Sequence, residues 1–417
     1  MAHLFERLDR AYLALFREYP PLVGLAVVTG AGQAAFALLN VYALPTYLLR
    51  DLRVSGLAAG AVAATFLLCE TVLKFPLGRL SDNFGRRPFI VLGPLLICIN
   101  PMVVVLLPTR LWALVFPLRV LDGAGAAALW PPLYALVGDM VRDRSRAAAM
   151  SVLNTVYVAA IGVAAALGAF VAHLTGSNRT SFFLASVFLL CSGLVAHFAV
   201  PRGAAGPGRP AAGEVPRAPA GAVPATEAPP VVACPLSLVL VISLLMTLGV
   251  LVLSTFLVVY LQVDLGLSAL QIGLLLVGLG VPVALLGLPL GHAADRWGKA
   301  RAVRLSFAVS ALLMWLVPSC RSLFAFAAVA TVLVVAHILG TPAWLALVSQ
   351  LAPDSRRGGV MGMVATAEGL GAALGPVLGG WLWDIHHTWV FYGSASLLTL
   401  GALLALCAVR QEVGVEA

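Results

Sequence analysis

Charged residues are scarce in this chain of 417 residues. They make up 11% of the sequence, whereas hydrophobic residues make up 61% and the mean hydropathy is +1.00. Because a soluble globular domain carries roughly 25% charged residues, a surface that mostly faces water is excluded. The composition therefore indicates a protein that turns most of its surface to lipid.

Cysteine is present at only six positions, and no two of them form a CxxC pair or a spacing typical of a metal site. Most lie within apolar runs, where cysteine packs as a small hydrophobic residue. The sequence also lacks HExxH, GxSxG and a phosphate-binding loop, which are signatures of common enzyme classes. We therefore expect no disulfide framework, no bound metal, no cofactor and no enzymatic activity.

Long apolar runs dominate the chain, for example at 88–109, 180–200 and 305–318. A helix that crosses a bilayer needs ~20 apolar residues, and lipid leaves only helices and closed barrels as spanning structures. Barrel strands alternate over ~10 residues, and these runs are longer and uniformly apolar. The sequence predicts an all-α integral membrane protein with twelve transmembrane helices, at about 22–49, 56–79, 89–108, 111–140, 147–173, 180–200, 235–262, 267–291, 302–318, 322–350, 358–383 and 388–409.

Residues 203–230 interrupt the hydrophobic pattern with a segment of proline, glycine and alanine. Such a composition cannot form a packed core and is typical of a flexible linker. The predicted organisation is an amphipathic N-terminal segment (1–20), a six-helix bundle (21–201), a cytoplasmic linker (202–233), a second six-helix bundle (234–410) and a cytoplasmic tail (411–417).

Basic residues are distributed unequally between the two sides of the membrane. Of the 26 Lys and Arg residues, nineteen fall on the side of the termini and the linker, five on the other side and two within spans. By the positive-inside rule, both termini are expected in the cytoplasm of a multi-pass protein of the inner (cell) membrane. The net charge of +8 therefore reflects topology, and we expect no nucleic-acid partner.

The two halves of the sequence repeat each other. "GRLSDNFGRR" at 78–87 aligns with "GHAADRWGKA" at 291–300, "WPPLYALV" at 130–137 with "TPAWLALV" at 341–348, and "DRSRAAAM" at 143–150 with "DSRRGGVM" at 354–361. These matches occur in the same order with nearly constant offset. The sequence predicts two pseudo-symmetric bundles with a path between them, as in many secondary transporters.

The first repeated segment resembles a family signature, Gly-x-Leu-x-Asp-Arg-x-Gly-Arg-Arg/Lys. The matching residues identify the chain as similar to the major facilitator superfamily of secondary transporters, with Asn83 as a departure; they are Gly78, Leu80, Asp82, Gly85, Arg86 and Arg87. The resemblance implies a latch between the halves, in which Asp82 approaches the N-terminus of the eleventh helix and Arg86 pairs with Asp139. The alternative is that these charges only anchor a loop.

The second half carries a reduced copy of this latch. Gly291, Asp295, Gly298 and Lys299 repeat the pattern, but Gln350 stands where the first half has Asp139. We therefore expect the second latch to be the weaker one.

Ionisable residues within membrane spans are costly and mark candidate functional positions. "RVLDGAGAA" at 119–127 resembles the fourth-helix motif of proton-coupled family members, with Asp122 in place of Gln. The resemblance implies that Arg119 lies near the cavity and takes part in proton transfer. The alternative is a static buried pair, because residues three apart share a helix face.

Two further carboxylates are candidates for proton coupling. Glu70 and Lys74 are four residues apart, so they form a self-satisfying pair unless Glu70 faces the cavity. Glu368 has no basic residue within helical reach, and it aligns with Tyr157 in the repeat. Glu368 is expected to accept a proton or a cationic group of the substrate, or else to remain protonated and hydrogen-bonded.

A sparse polar lining is expected around the path, although each member could serve helix packing instead. It comprises Gln33, Asn40, Trp130, Asn154, Tyr157 and His337. "GAALGPVLGG" at 371–380 resembles the glycine–proline motif that drug antiporters carry in the fifth helix, here with Gly371, Gly375, Pro376, Gly379 and Gly380 in the eleventh. The fifth helix has Ala164 and Ala165 at the corresponding position, and this difference weighs against simple drug efflux. Both the stretch at 371–380 and the matching stretch at 162–170 are expected to line the interface between the halves.

The function predicted from the sequence is secondary active transport by alternating access. The leading prediction is a monomeric antiporter that exports a hydrophobic or amphipathic small molecule across the lipid bilayer, driven by a proton gradient. The alternatives are a proton-coupled symporter of a metabolite, a lipid transporter of the same fold, and a membrane receptor that transports nothing.

Overall fold

The computed structural model describes residues 15–201, 235–350 and 357–408. Every regular element within these ranges is helical. The helices are α1 Pro21–Asp51, α2 Gly56–Phe84, α3 Arg86–Leu106, α4 Thr109–Met140, α5 Asp143–Thr175, α6 Thr180–Ala199, α7 Leu236–Val263, α8 Ala269–Trp297, α9 Lys299–Ser319, α10 Leu323–Gln350, α11 Arg357–Ile385 and α12 Trp389–Ala408.

The expected helical membrane architecture is confirmed. Eleven helices of the described ranges are long and apolar enough to cross a membrane, and α8 adds the shorter apolar stretch Ala269–Gly280. The predicted division into N-terminal segment, linker and tail depends mainly on residues 1–14, 202–234 and 409–417, which lie outside the described ranges, so it stays a prediction. We call the side on which α6 ends and α7 begins the linker face, and the opposite side the distal face.

The sequence repeat has a structural counterpart in α2 and α8. Both helices are 29 residues long, and both begin directly after a serine N-cap, Ser55 or Ser268. Both end at a glycine with positive φ, which is 89° at Gly85 and 90° at Gly298. Because that backbone conformation suits glycine alone, the repeated glycine is the residue that ends each helix and starts the next.

Helix packing joins the two halves along two seams. Within the halves, α2 packs on α4, α1 on α5, α7 on α11 and α8 on α10. Between the halves, α2 packs on α11 and α5 packs on α8. The buried hydrophobic residues of α2 to α4 and those of α7, α9 and α12 belong to separate clusters, so each half has a core of its own.

The two halves are in contact at the distal face and apart toward the linker face. Distally, a Cβ on Gly56 of α2 would lie 2.7 Å from the carbonyl oxygen of Gly380 of α11, and a Cβ on Gly273 of α8 would lie 3.1 Å from that of Ala166 of α5. In contrast, a Cβ on Gly362 of α11 would meet no atom within 4 Å. Among the described residues, the halves are therefore in contact distally and separated toward the linker face, and we call the distal face closed and the linker face open in this sense.

Helix α1 departs from α-helical geometry at two places. Leu38–Ala43 and Tyr47–Asp51 are π-helical and flank a short α-helical turn that contains Pro45. Proline lacks an N–H group, and a wider turn accommodates the missing hydrogen bond. Such π-helical turns occur frequently at functional sites, and this one places Asn40 in the interior of the first bundle.

Candidate functional site

A charged cluster occupies the linker face where α2, α3 and α4 meet. Arg86 is the first residue of α3, and its Nη1 lies 2.5 Å from Oδ2 of Asp139 at the end of α4. Its Nη2 lies 3.6 Å from Oδ1 of Asp82 near the end of α2. The arginine side chain is 14% exposed, whereas the carboxylates are 48% and 56% exposed, so a largely buried cation holds two accessible acids.

Asp82 does not reach α11 in this conformation. Its ionic partner among the described residues is Arg86. The two helices run antiparallel and are still in contact where Gly369 of α11 meets Thr71 of α2. Eleven residues further along α2 comes Asp82, and eleven residues back along α11 comes Gly358, about 16 Å from that contact. The register therefore places Asp82 opposite the N-terminus of α11, across the open linker face.

Other members of the expected latch have separate roles in this structure. Nη2 of Arg87 donates to the carbonyl oxygen of His197 at 2.7 Å, which ties α3 to α6. Gly78 lies inside α2, where a Cβ would be 3.9 Å from Pro131, and the turn between α2 and α3 is made at Gly85. In the second copy, Lys299 begins α9; the side chain of Asp295 lies outside the described residues.

Arg119 and Asp122 form a closed network inside the first bundle. Nη1 of Arg119 donates to Oδ2 of Asp122 at 2.9 Å, and its Nη2 donates to Oδ1 of Asn40 in α1. Nδ2 of Asn100 in α3 donates to the other oxygen of Asp122 at 2.9 Å. The guanidinium carbon of Arg119 lies 4.4 Å from the ring centre of Phe66 in α2.

The network links four helices and is sealed from solvent. The side chains of Arg119 and Asp122 are 1% and 2% exposed. The resemblance implied a position of Arg119 near the cavity, but in this conformation both charged groups face partners within their own bundle. The geometry is that of the static alternative, in which a buried pair holds helices together.

Glu70 is the carboxylate of the first half that lies closer to the path. Its Oε1 is 2.9 Å from Nζ of Lys74, which is the self-satisfying pair considered from the spacing. The Glu70 side chain is 14% exposed and that of Lys74 47%. Glu70 is therefore a largely buried carboxylate that is paired with a more exposed lysine of its own helix.

Glu368 lies in α11 at the same level as Glu70. The next residue along each helix, Gly369 in one and Thr71 in the other, marks the contact between α11 and α2. The Glu368 side chain is half-buried, and among the described residues it has no ion pair or hydrogen bond. One carboxylate from each half thus lies next to this contact between the halves.

The expected polar lining is partly core and partly accessible. Gln33 is buried in α1, and Trp130 is buried in α4 with its ring 5.2 Å from that of Tyr157. Asn154 is exposed on α5, and His337 is exposed on α10 with Thr341 as its neighbour at 3.3 Å. The exposed members, Asn154 and His337, come from helices of both halves, and Tyr157 is half-buried.

The glycine–proline motif of α11 serves two different contacts. Pro376 and Gly380 face α2 of the other half. Gly371, Gly375 and Gly379, spaced four residues apart, face α7 within the same half. The expectation that the whole motif lines the interface between the halves is therefore wrong for these three glycines, because a spacing of four residues keeps them on one helix face directed at α7.

Several contacts were not anticipated from the sequence. Asp384 at the distal end of α11 accepts hydrogen bonds from the backbone of α2. In a separate contact between the halves, Nη1 of Arg50 in α1 donates to the Gln262 side chain of α7 at 3.0 Å. Asn100 was not predicted as the partner of Asp122. Asp384 could have been selected from the sequence as a candidate, because it is an acidic residue at the end of the eleventh predicted span.

Comparison with known proteins assigns the family. A family profile described as Major Facilitator Superfamily matches residues 25–268 and 239–416. The chain belongs to the major facilitator superfamily. The superfamily consists of transporters, so the coarse prediction of a membrane transporter is confirmed.

Individual relatives of this superfamily member are distant. Multidrug resistance protein 1 of Bacillus subtilis is 23% identical over 86% of this chain and 89% of its own length. Among solved structures, peptide transporter POT in complex with sulfate has a TM-score of 0.70 at 16% identity, covering 93% of this chain and 93% of its own. A bacterial homolog of the human lysosomal transporter Spinster, described as inward-facing and occupied, has a TM-score of 0.72 at 15% identity and covers 95% and 97%. These structures share the fold.

Proposed function

We propose that this superfamily member is a proton-coupled antiporter that exports hydrophobic or amphipathic small molecules, with a preference for cations. The names of two relatives from Bacillus subtilis, Multidrug resistance proteins 1 and 2, support export. The open path between the halves supports alternating access, in which the linker face and the distal face open in turn.

The orientation of the protein in the membrane is part of this proposal. The linker face carries the excess of Lys and Arg, which by the positive-inside rule corresponds to the cytoplasm. The described conformation then opens to the cytoplasm, the side from which an exporter loads its substrate.

The observation that carries the proposal is the position of Glu70 and Glu368. The two carboxylates come from different halves, at one level of the membrane, next to the contact between Thr71 and Gly369. Glu70 is neutralised by Lys74 at 2.9 Å, whereas Glu368 has no partner among the described residues. A carboxylate without a partner at membrane depth can hold either a proton or a cationic substrate, but not both.

The exchange of these two occupants gives the transport cycle. With the linker face open, ionised Glu368 binds the cationic group of the substrate while the half-buried Tyr157 contacts its apolar part. With the distal face open, a proton from outside binds to the carboxylate of Glu368. The cationic group of the substrate then loses its ionic partner, and the substrate is released. The proton is carried inward when the linker face reopens, so its gradient drives export.

Flux measurements in proteoliposomes test the proposal. We expect ethidium, a lipophilic cation, to move against an imposed pH gradient with the wild type. Glu368→Gln should abolish this movement and Glu70→Gln should reduce it. Asp264→Asn is the control, because Asp264 lies at the distal face and pairs with His387 inside the second half.

The same assay distinguishes the other functions. Ethidium flux that ignores the pH gradient would contradict proton coupling, and movement in the direction of proton flow would indicate symport. Movement of a labelled lipid that depends on its headgroup, with no ethidium flux, would replace drug export with lipid transport.

A further inference from the structure

Asp384 connects the two halves at the distal face. It lies in the last turn of α11, and its Oδ1 is 2.6 Å from the backbone nitrogen of Gly56 while its Oδ2 is 2.9 Å from that of Leu57. Gly56 and Leu57 are the first residues of α2, whose first N–H groups have no partner within the helix. One carboxylate of the second half thus caps a helix of the first half with both of its oxygens.

The N-cap of helix α2 does not serve these two donors. Ser55 accepts from the backbone nitrogen of Ala58 at 3.2 Å, and an alanine at that position offers no side chain in return. The related helix α8 is different, because Ser268 and Gln271 form a complete capping box. A capping box serves the N–H groups of the N-cap and of the third helical residue, so in neither helix does the local cap reach the first two residues. In α2 those two residues donate to Asp384 of the other half instead.

The second seam between the halves has no such carboxylate. The repeat that aligns Glu368 with Tyr157 aligns Asp384 with His173, near the end of α5. A neutral imidazole has a single acceptor nitrogen and a protonated one has none, so His173 cannot replace a carboxylate that accepts two hydrogen bonds. The cap between the halves occurs once among the described residues, on the seam between α2 and α11.

The end of α11 is held rigidly by its own half. The ring of Trp383 stacks on that of Phe256 with centroids 5.3 Å apart and on that of His387 at 3.9 Å. His387 in turn is 2.9 Å from Oδ2 of Asp264. Because these contacts all lie within the second half, they fix the direction of Asp384 toward α2 while leaving the cap as a contact that can break between rigid bodies.

From this geometry we propose that Asp384 is a clasp that holds the distal face shut and must release for that face to open. It caps α2 from α11, and at the other end of the same two helices Asp82 of α2 lies opposite the N-terminus of α11. Tilting the helices brings one carboxylate to its helix and withdraws the other, so the two clasps alternate. The inference rests on the proposed alternating access and is independent of the proton and of the substrate.

Hydrogen–deuterium exchange of the purified full-length protein tests the clasp. The informative segments are the distal parts of α5 and α8, around Ala166 and Gly273, because they touch each other and not Asp384. Release of the distal face should raise exchange there about tenfold in Asp384→Ala and less in Asp384→Asn, which keeps one acceptor oxygen. Asp264→Asn is the matched control: it removes a carboxylate from the same face but leaves Asp384 and the stack of Trp383 on Phe256 in place, so it should change the exchange of these segments much less than Asp384→Ala.

Each outcome decides between a clasp and a simple helix cap. Faster exchange confined to residues 55–58 would overturn the proposal, and so would unchanged exchange in Asp384→Ala. A large effect of Asp264→Asn would show that the charge of this face matters in general and would also overturn it. If Asp384→Ala does not fold, Asp384→Asn alone supplies the answer. Because the measurement needs neither substrate nor pH gradient, failure of the antiport proposal would leave its result intact.

Discussion

Arg86 and Asp139 remain paired although the linker face is open, with Nη1 and Oδ2 2.5 Å apart. Both residues belong to the first half, so their contact does not depend on the position of the second half. The part of the proposed latch that belongs to the first half is therefore already assembled in this conformation, and the contact of Asp82 with the N-terminus of α11 is the one that has not formed. Closing the linker face requires α11 to approach a cluster that already exists.

Replacing Asp82 is expected to impair transport without unfolding the protein. Asp82 is 48% exposed and 3.6 Å from Arg86, and ion pairs of this kind contribute about 1 kcal/mol or less to stability. Asp82→Asn should therefore leave the unfolding temperature in detergent nearly unchanged while lowering the turnover number of flux, since the linker face closes less often. Normal turnover in this variant would contradict the latch.

Adding a methyl group to Gly60 is expected to hold the distal face open. A Cβ there would overlap the carbonyl oxygen of Pro376 in α11. Gly60→Ala should abolish flux and increase the labelling, by a membrane-impermeant maleimide, of a cysteine introduced into the distal half of the path. Gly362→Ala is the matched control on α11, because a Cβ there meets no atom within 4 Å, and it should retain flux. Loss of flux in both variants would mean that the close approach of α2 and α11 is not the cause.

Much of the fold could be predicted from the sequence because lipid imposes a simple rule. The first predicted span, 22–49, became Pro21–Asp51, and the eleventh, 358–383, became Arg357–Ile385. Long apolar runs define such helices by length, and the repeat fixes their pairing into halves. The glycine between α2 and α3 was also predictable, since a turn between two helices at a repeated glycine indicates positive φ.

The directions of side chains could not be predicted in the same way. Arg119 was expected near the path and lies in a sealed network, because its burial depends on Asn40 and Asn100 from helices distant in sequence. Likewise, Gly375 faces α7 while its neighbour Pro376 faces α2. One residue turns a helix by about 100°, so the role of a motif depends on neighbours that the motif does not contain.

The two glycines that end α2 and α8 are expected to resist substitution more than Gly78. Gly85 and Gly298 have φ of 89° and 90°, a region in which a side chain costs about 1–3 kcal/mol. Gly85→Ala and Gly298→Ala should lower thermal stability measurably. Gly78→Ala should not, because Gly78 is helical and its Cβ position is 3.9 Å from Pro131. Equal stability of all three variants would contradict a conformational role for the terminal glycines.

The buried pair of Arg119 and Asp122 is expected to behave as a unit. Removing one partner leaves an uncompensated charge in a sealed site, which costs about 3–5 kcal/mol, whereas neutral replacement of both partners avoids that penalty. Asp122→Asn and Arg119→Gln should therefore each lower the unfolding temperature strongly, and the double variant should recover much of the loss. Thermal unfolding of the four proteins in detergent measures this coupling. Additive losses in the double variant would show that the two charges are not stabilised by each other, and the static role that their burial and their four-helix network indicate would have to be abandoned.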